Sequence, residues 1–428
     1  MAYQSPVSPG HSWYEDSVEN RPTYPPLDSS RRADVAIVGG GFTGLSAAAH
    51  LAKAGIDVTL VEAHRFGDGA SGRNGGQLGT GQRAWAEELQ AEFGFTRAKA
   101  LFDLAEEAKA HILDFAAANH IEIDYLPGQM SVAHKKRYVK SYEAHAAIMR
   151  ERFGYGHINF MDARETTERL GSSIYFGGVR DTGTGHIHPM KLAIGTARVA
   201  AEAGAHLFEN TRATDITSAG GKVKVTTDRG TITADKALIA VNAYGGDLEP
   251  VSAAHVMPIG SFIGATVPLG KDSPVLPGFE AVDDSRFVVC YFRRTGDGRL
   301  LFGGREIYST TEPAGIRNAI RRQIAEVYPA LKEVEITHTW GGYVGITMPR
   351  KPFVREVMPN VISAGGYSGH GVMLSNFTGK LYAEMVAGNR DRLKLLEELQ
   401  IPPFPGGRLL RRPLLFLALN WYALRDRL

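Results

Sequence analysis

Three glycines, Gly39, Gly41 and Gly44, stand at the G-x-G-x-x-G spacing within VAIVGGGFTG, residues 35–44. That spacing serves phosphate chemistry. Gly39 permits a tight turn, Gly41 lets the backbone approach a pyrophosphate, and Gly44 lets a helix pack close to the strand before it. Phe42 and Thr43 sit at the mouth of that helix, whose first N–H groups would face the ligand. Glu62, followed by Ala63, comes about 20 residues on, where a carboxylate can accept hydrogen bonds from ribose hydroxyls. An ordinary strand–helix turn can carry such glycines too. Here strand, helix and acid fall in register, and the segment reads as a dinucleotide site.

Two further glycine-rich loops offer chemistry. GASGRNGGQ, residues 69–77, brings Ser71, Gly72, Arg73, Asn74, Gly75, Gly76 and Gln77 together. Its glycines and short polar side chains form a backbone surface against which a flat ring or a pyrophosphate can lie. By composition alone a flexible surface loop is the plainer reading. GYSGHGV, residues 366–372, places Gly366, Tyr367, Gly369, His370, Gly371 and Val372 immediately before a helix. Unpaired N–H groups and the positive end of the dipole then point outwards. A β-carbon at Gly371 is expected to clash with a bound ring or with the helix start. His370 is the candidate catalytic residue, able to bond a ring or an amine, although it can equally cap the helix.

Other reactive side chains are less telling. Among 14 histidines no spacing suggests a metal site, and none is expected. His186 and His188 read as a structural pair in a turn. Cys290, the single cysteine, reads as a buried thiol.

The elements that must position these groups follow from periodicity. Residues 33–38 form a short apolar run typical of a buried parallel strand, 43–54 a helix, and 56–61 a second strand. Helices are expected over 87–120, 135–152, from Pro189 to about 203, over 316–328, and from the 366–372 loop to about 387. Strands are expected over 129–133, 206–209, 213–217, 222–227, 230–233, 236–241, 287–292, 299–302 and 361–364. Nucleotide-type segments thus recur near the start, middle and end, with antiparallel β material between them.

Composition sets the outer limits. The chain has 428 residues and a formal net charge of +2 from 48 basic and 46 acidic side chains. Nothing in that balance calls for nucleic acid or an anionic membrane as partner. The lone cysteine excludes intrachain disulfides and fits a cytoplasmic location. No secretory layout opens the chain, and the longest apolar run, residues 414–419, is too short to span a bilayer, so no transmembrane segment is expected. The oligomeric state stays open.

Taken together, these motifs resemble the D-amino-acid-oxidase-like (glycine/sarcosine oxidase) superfamily, whose flavin-contacting loop is similar to GASGRNGGQ. Within it they resemble the γ-glutamylputrescine oxidoreductase branch. HIHP followed by LAIG (residues 186–189 and 192–195), GYSGHGV, FPGGR (404–408) and the closing YALRDRL (422–428) carry that likeness. Trp340-Gly341-Gly342 departs slightly from the Trp-Thr-Gly expected there. The resemblance implies a glutathione-reductase-type α/β fold, with a discontinuous FAD domain and an inserted antiparallel substrate domain. The FAD domain would span 33–120, 186–250 and 346–395, and the substrate domain 121–185 and 251–345. A 1–32 arm and a 396–428 tail would flank them, the apolar part of the tail docking on the body. It implies non-covalent FAD, adenine contact from Ala213, and closure over the dinucleotide by Asn242 and Ala243.

The chemistry implied is oxidation of an amine C–N bond by hydride transfer to flavin N5. Imine hydrolysis gives an aldehyde and an amine, and oxygen takes the electrons. γ-Glutamylputrescine is the substrate the branch implies; sarcosine, glycine or a cyclic imino acid is the alternative. An enzyme acting on RNA would need a basic stripe that the sequence lacks. A purely NAD-dependent dehydrogenase is the third option, which a colourless purified protein would favour. Arg73, Arg293, Arg305 and Arg350 are all open as partners for a substrate carboxylate.

Overall fold

The computed structural model describes residues 5–286, 288–307 and 314–406. Its first sheet grows from the strand Arg31–Val38. Alternate residues of that strand face opposite ways, as a pleated backbone requires. Val35 and Ile37 enter a core shared with the helices Phe42–Lys53, Phe95–Ala118, Pro189–Glu202 and Gly371–Val386. Ala36 and Val38 enter a second core under the strands Ala213–Ala219 and Lys222–Thr227. Burial on both faces is why the sequence there is a continuous apolar run.

Strand order in this sheet is Phe353–Met358, Val361–Gly365, Thr231–Ile239, Arg31–Val38, Val58–Val61 and His206–Phe208. All pairs are parallel except the first. Register sets Ile239 beside Val38 and beside Ser363. The turns leaving three strands therefore open side by side at one edge, where open α/β sheets bind their ligands. Two helices are drawn close above it. A β-carbon on Gly379 would strike the carbonyl of Thr43, and one on Gly44 the carbonyl of Gly39.

The second sheet has nine strands, running from Gly10–His11 at one edge through Ile336–Ile346, Met257–Pro268, Arg299–Ile307, Tyr291–Arg294, Ala281–Asp284, Leu126–Val132 and Gly178–His186 to Ile158–Met161. Its pairs are antiparallel apart from Ala281–Asp284 with Leu126–Val132. The helix Ile316–Val327 packs on its apolar core. The N-terminal arm joins this sheet through Gly10 and His11 and buries Tyr14 from a short helix, Trp13–Asp16.

Several boundaries differ from the expectation. The segments 230–233 and 236–241 are one strand, Thr231–Ile239, whose first half pairs with Lys222–Thr227 and whose second half joins the parallel sheet. The expected helix over 87–120 breaks at Gly94, where φ is +78°, into Ala86–Phe93 and Phe95–Ala118. The strand expected over 287–292 begins only at Tyr291, and Phe287 lies outside the described residues. So do residues 407–428, which include Gly407, Arg408 and the apolar tail segment.

Candidate active site

A single cavity of about 690 Å³ runs between the open edge of the parallel sheet and the face of the nine-stranded one. Gly39, Gly41, Phe42, Thr43, Glu62 and Ala63 line one end, with Ala213 and Asn242. A β-carbon at Gly39 would lie 2.7 Å from the carbonyl oxygen of Ala240, so only glycine, here at φ +111°, makes the turn. Phe42 N–H donates to Ser71 Oγ at 2.9 Å, which closes the first loop onto the second. The Glu62 carboxylate accepts from Gly40 N–H at 2.7 Å and His64 N–H at 3.0 Å. Burial pushes its pKa up, and those two N–H groups oppose the shift.

The 69–77 loop is not a flexible surface loop. Asn74 stitches it together, donating to the carbonyls of Ala70 and Ser71 at 3.0 and 2.9 Å and accepting from Gly76 N–H at 2.8 Å. Gln77 donates to the Val282 carbonyl at 2.9 Å, and Ile187 N–H to that of Gly76 at 2.9 Å. Ser71, Arg73, Asn74, Gly75, Gly76 and Gln77 all reach the cavity wall. Gly72 lies behind it, as do Gly44, Ala243 and Gly366. Gly44 and Gly72 serve close packing, since a β-carbon at either would strike a backbone carbonyl.

In the third loop Tyr367, Gly369, His370, Gly371 and Val372 line the cavity. Asn242, at φ +46°, accepts from Gly366 N–H at 2.8 Å and thereby fixes the loop's entry. His370 occupies the position before the helix but makes no side-chain cap bond, so the capping role is excluded. Its Nε2 is enclosed and makes no well-aligned hydrogen bond, although the ring lies close enough to the Gly81 and Thr80 backbone to feel both. Burial first, then the charges of Arg83 and Lys109, push its pKa down to about 4, so the ring is neutral near pH 7. At Gly371 the clash expected with the helix start is a tight contact rather than a hard overlap. Its β-carbon would sit 3.2 Å from Tyr367 Cβ, and the crowded left-handed glycine is Gly366, at φ +68° and 2.5 Å from Thr347 Cγ2.

Most of the open arginines are accounted for. Arg73 reaches the wall, but its guanidinium donates to the carbonyls of Gly341, Pro9 and Gly10 at 2.7, 2.6 and 2.9 Å. Arg293 is buried away from the cavity. It donates to the carbonyls of Gly75 and Ile187, to Tyr14 Oη and to His186 Nδ1. Arg293 is thus unavailable to a substrate carboxylate, and Arg73 is held by Nε and Nη2 to backbone. Arg350 lines the cavity and has interactions of its own, while the side chain of Arg305 lies outside the described residues. His186 and His188 are structural, as expected: the first donates to the Phe279 carbonyl, and the second caps the helix Pro189–Glu202. Cys290 stays behind the wall, its thiol pushed up to about 12 by burial. The one cluster among the described residues with ligand atoms close enough for a metal, His11, Asp16 and His338, lies away from this cavity.

Sequence reasoning missed the far end. Arg83, Gln129, Ser131, Tyr142, His145, Asp181 and Asp283 line it. Asp181 accepts from Thr80 Oγ1 and Tyr155 Oη at 2.6 and 2.8 Å. Lys109, buried beside them, donates to Thr80 Oγ1 at 2.7 Å. One signal was available: Gly79 and Gly81, both at positive φ, extend the second glycine loop as far as Arg83. The glycine cradle, two helix starts aimed into one cavity, the acid at the strand end and the orphaned His370 nitrogen together fit a flavin dinucleotide.

Comparison with known proteins agrees with that fit. Residues 34–385 match the family described as FAD dependent oxidoreductase (DAO). The chain is 61% identical to the probable oxidoreductase OrdL of Rhizobium meliloti, over 100% of both chains. It is 35% identical to γ-glutamylputrescine oxidoreductase of Escherichia coli, over 97% of this chain and 98% of that one. The crystal structure of glycine oxidase from Geobacillus kaustophilus superposes with a TM-score of 0.71 at 26% identity, covering 87% of this chain and 96% of the other. This chain is therefore an enzyme acting on CH–NH donors with FAD as cofactor, and it belongs to the DAO family of FAD dependent oxidoreductases.

Proposed function

We propose that this enzyme oxidises the terminal amine of γ-glutamylputrescine. The observation that carries the reading is the likeness to the Escherichia coli enzyme of that name, which runs along nearly the whole of both chains. FAD, when bound, supplies the acceptor for a hydride from the carbon next to nitrogen and passes the electrons on to oxygen. The imine product hydrolyses in water to an aldehyde and ammonia.

The protein's own part is positioning and electrostatics. The glycine loops shape a wall that excludes water from the reacting carbon. The helix Gly371–Val386 directs uncapped N–H groups and a positive dipole end into the cavity. His370, neutral and with Nε2 unsatisfied, orients the amine or the ring system beside it. We assign the parallel sheet with its helices to cofactor binding and the nine-stranded sheet to substrate binding, along the division 33–120, 186–250 and 346–395 against 121–185 and 251–345. Cofactor attachment is non-covalent, because Cys290 is outside the cavity, and the lone thiol suits a cytoplasmic setting. A sibling activity on glycine or sarcosine is the second reading, supported by the glycine oxidase superposition.

Product analysis tests the proposal: γ-glutamylputrescine should yield ammonia and aldehyde in equal amounts with matching oxygen uptake. In stopped-flow reduction His370→Ala should slow the reductive step about 100-fold with little change in melting temperature. A normal reductive rate removes His370 from the active site.

A further inference from the structure

Asp283 and Ser131 are directly paired across the strands Ala281–Asp284 and Leu126–Val132, and Gln129 stands two residues before Ser131 on the same face. Met130, between Gln129 and Ser131, and its strand partner Val282, next to Asp283, face the apolar core of the nine-stranded sheet instead. Gln129, Ser131 and Asp283 therefore present one polar patch to the cavity, and all three line it. Gln129 Nε2 donates to Asp283 Oδ2 at 2.5 Å. The bond from Gln77 to the Val282 carbonyl ties this patch to the cofactor loop.

Arg83 lines the same space. The other arginines at the wall are engaged: Arg73 by three carbonyls, Arg212 with His64, Arg286 with Asp284, and Arg350 by contacts of its own. Arg83 makes no hydrogen bond or ion pair to a described residue. Its charge bears on Asp283 and Tyr142 and also on His370. Arg83 thus shares the cavity with both the acid and His370. The indole of Trp85 stacks on the His145 ring with centroids 4.5 Å apart and lies 5.3 Å from that of Tyr142, giving this end an aromatic wall.

Asp283, held by Gln129, and Arg83, without a described partner, both line this half-buried end of the cavity, where a ligand of complementary charges can engage the two together. We infer that this end of the cavity is a subsite for a zwitterionic α-amino-acid head, Arg83 taking the carboxylate and Asp283 the ammonium. The aromatic wall covers the methylene chain leading back to the reacting amine. This inference rests on the amine-oxidation reading above and adds to it the residues that select the substrate's remote end. A free diamine or a simple N-acyl diamine leaves both charges unanswered.

The test compares three substrates on the holoenzyme: γ-glutamylputrescine, glutarylputrescine, which lacks the α-amino group, and N-butanoylputrescine, which lacks both charges. Arg83→Gln should cut the ratio of kcat/KM for γ-glutamylputrescine over N-butanoylputrescine about 100-fold, mainly through KM, with partial rescue by Arg83→Lys. Asp283→Asn should cut the γ-glutamyl over glutaryl ratio about 10-fold. If Arg83→Gln lowers all three values in proportion, or none, the subsite is overturned while amine oxidation stands. If none of the three reduces the wild-type flavin, the amine reading falls and the subsite with it.

Discussion

Thr43 Oγ1 and Tyr367 Oη lie 3.0 Å apart, joined by a buried hydrogen bond between residues 324 positions apart in sequence. The bond fastens the start of the helix Phe42–Lys53 to the loop before the helix Gly371–Val386, so two helix N-termini face one cavity in a fixed relation. Tyr367→Phe should remove it and leave the Thr43 hydroxyl unsatisfied, at a cost of about 1–2 kcal/mol in stability. The melting temperature of the holoenzyme should fall accordingly, and an unchanged value would detach this pair from the architecture of the site.

Glu62 tests the nucleotide end. Its carboxylate already organises the first loop through Gly40 N–H and still faces the cavity. Glu62→Ala should weaken FAD binding about ten- to a hundredfold, matching roughly 1.5–3 kcal/mol of charge-assisted bonding. Titration of the refolded apoprotein with FAD measures this, and unchanged affinity in a folded variant refutes the assignment.

The third loop separates two glycines. Gly366, left-handed and crowded by Thr347 and Phe353, should tolerate no side chain, and Gly366→Ala should lose at least about 2 kcal/mol of stability. Gly371→Ala meets Tyr367 Cβ at 3.2 Å, a tight contact that a shift of a few tenths of an ångström relieves on ordinary helical backbone, so its effect should stay below that of Gly366→Ala, at about 1 kcal/mol. The reverse order in denaturant midpoints would show that the loop is wrongly placed.

This reversal shows what the sequence made legible. The parallel strands, their helices and all three glycine loops were readable because a buried strand and a tight turn are local patterns. Which glycine is crowded depends on what lies opposite, and for Gly366 that is Thr347, on another segment. The strands Met257–Pro268 and Ile336–Ile346 escaped detection because glycines and a proline interrupt their alternation. Arg83 and Asp283 escaped it because only the folded chain sets a loop residue and a strand residue at one cavity.

Buried neutral histidines give a pH signature. Burial first and the charge of Arg293 second press the pKa of His188 down to about 3. Below pH 6.5 the unfolded chain takes up a proton that the folded chain refuses, so stability present above that pH is lost as pH falls towards 3. His188→Asn keeps a helix-capping acceptor and removes the titration. Between pH 6 and 4 the wild type should lose stability relative to this variant by about 1.4 kcal/mol per pH unit. Parallel curves would show that His188 is not held neutral.

The most direct test of the whole account is anaerobic bleaching of the bound flavin by a panel of amines, followed at the flavin absorbance maximum. γ-Glutamylputrescine should reduce the holoenzyme far faster than free putrescine, sarcosine, glycine or D-alanine, by about 100-fold or more in the second-order rate constant. Faster reduction by sarcosine, glycine or a cyclic imino acid would contradict the substrate proposed here.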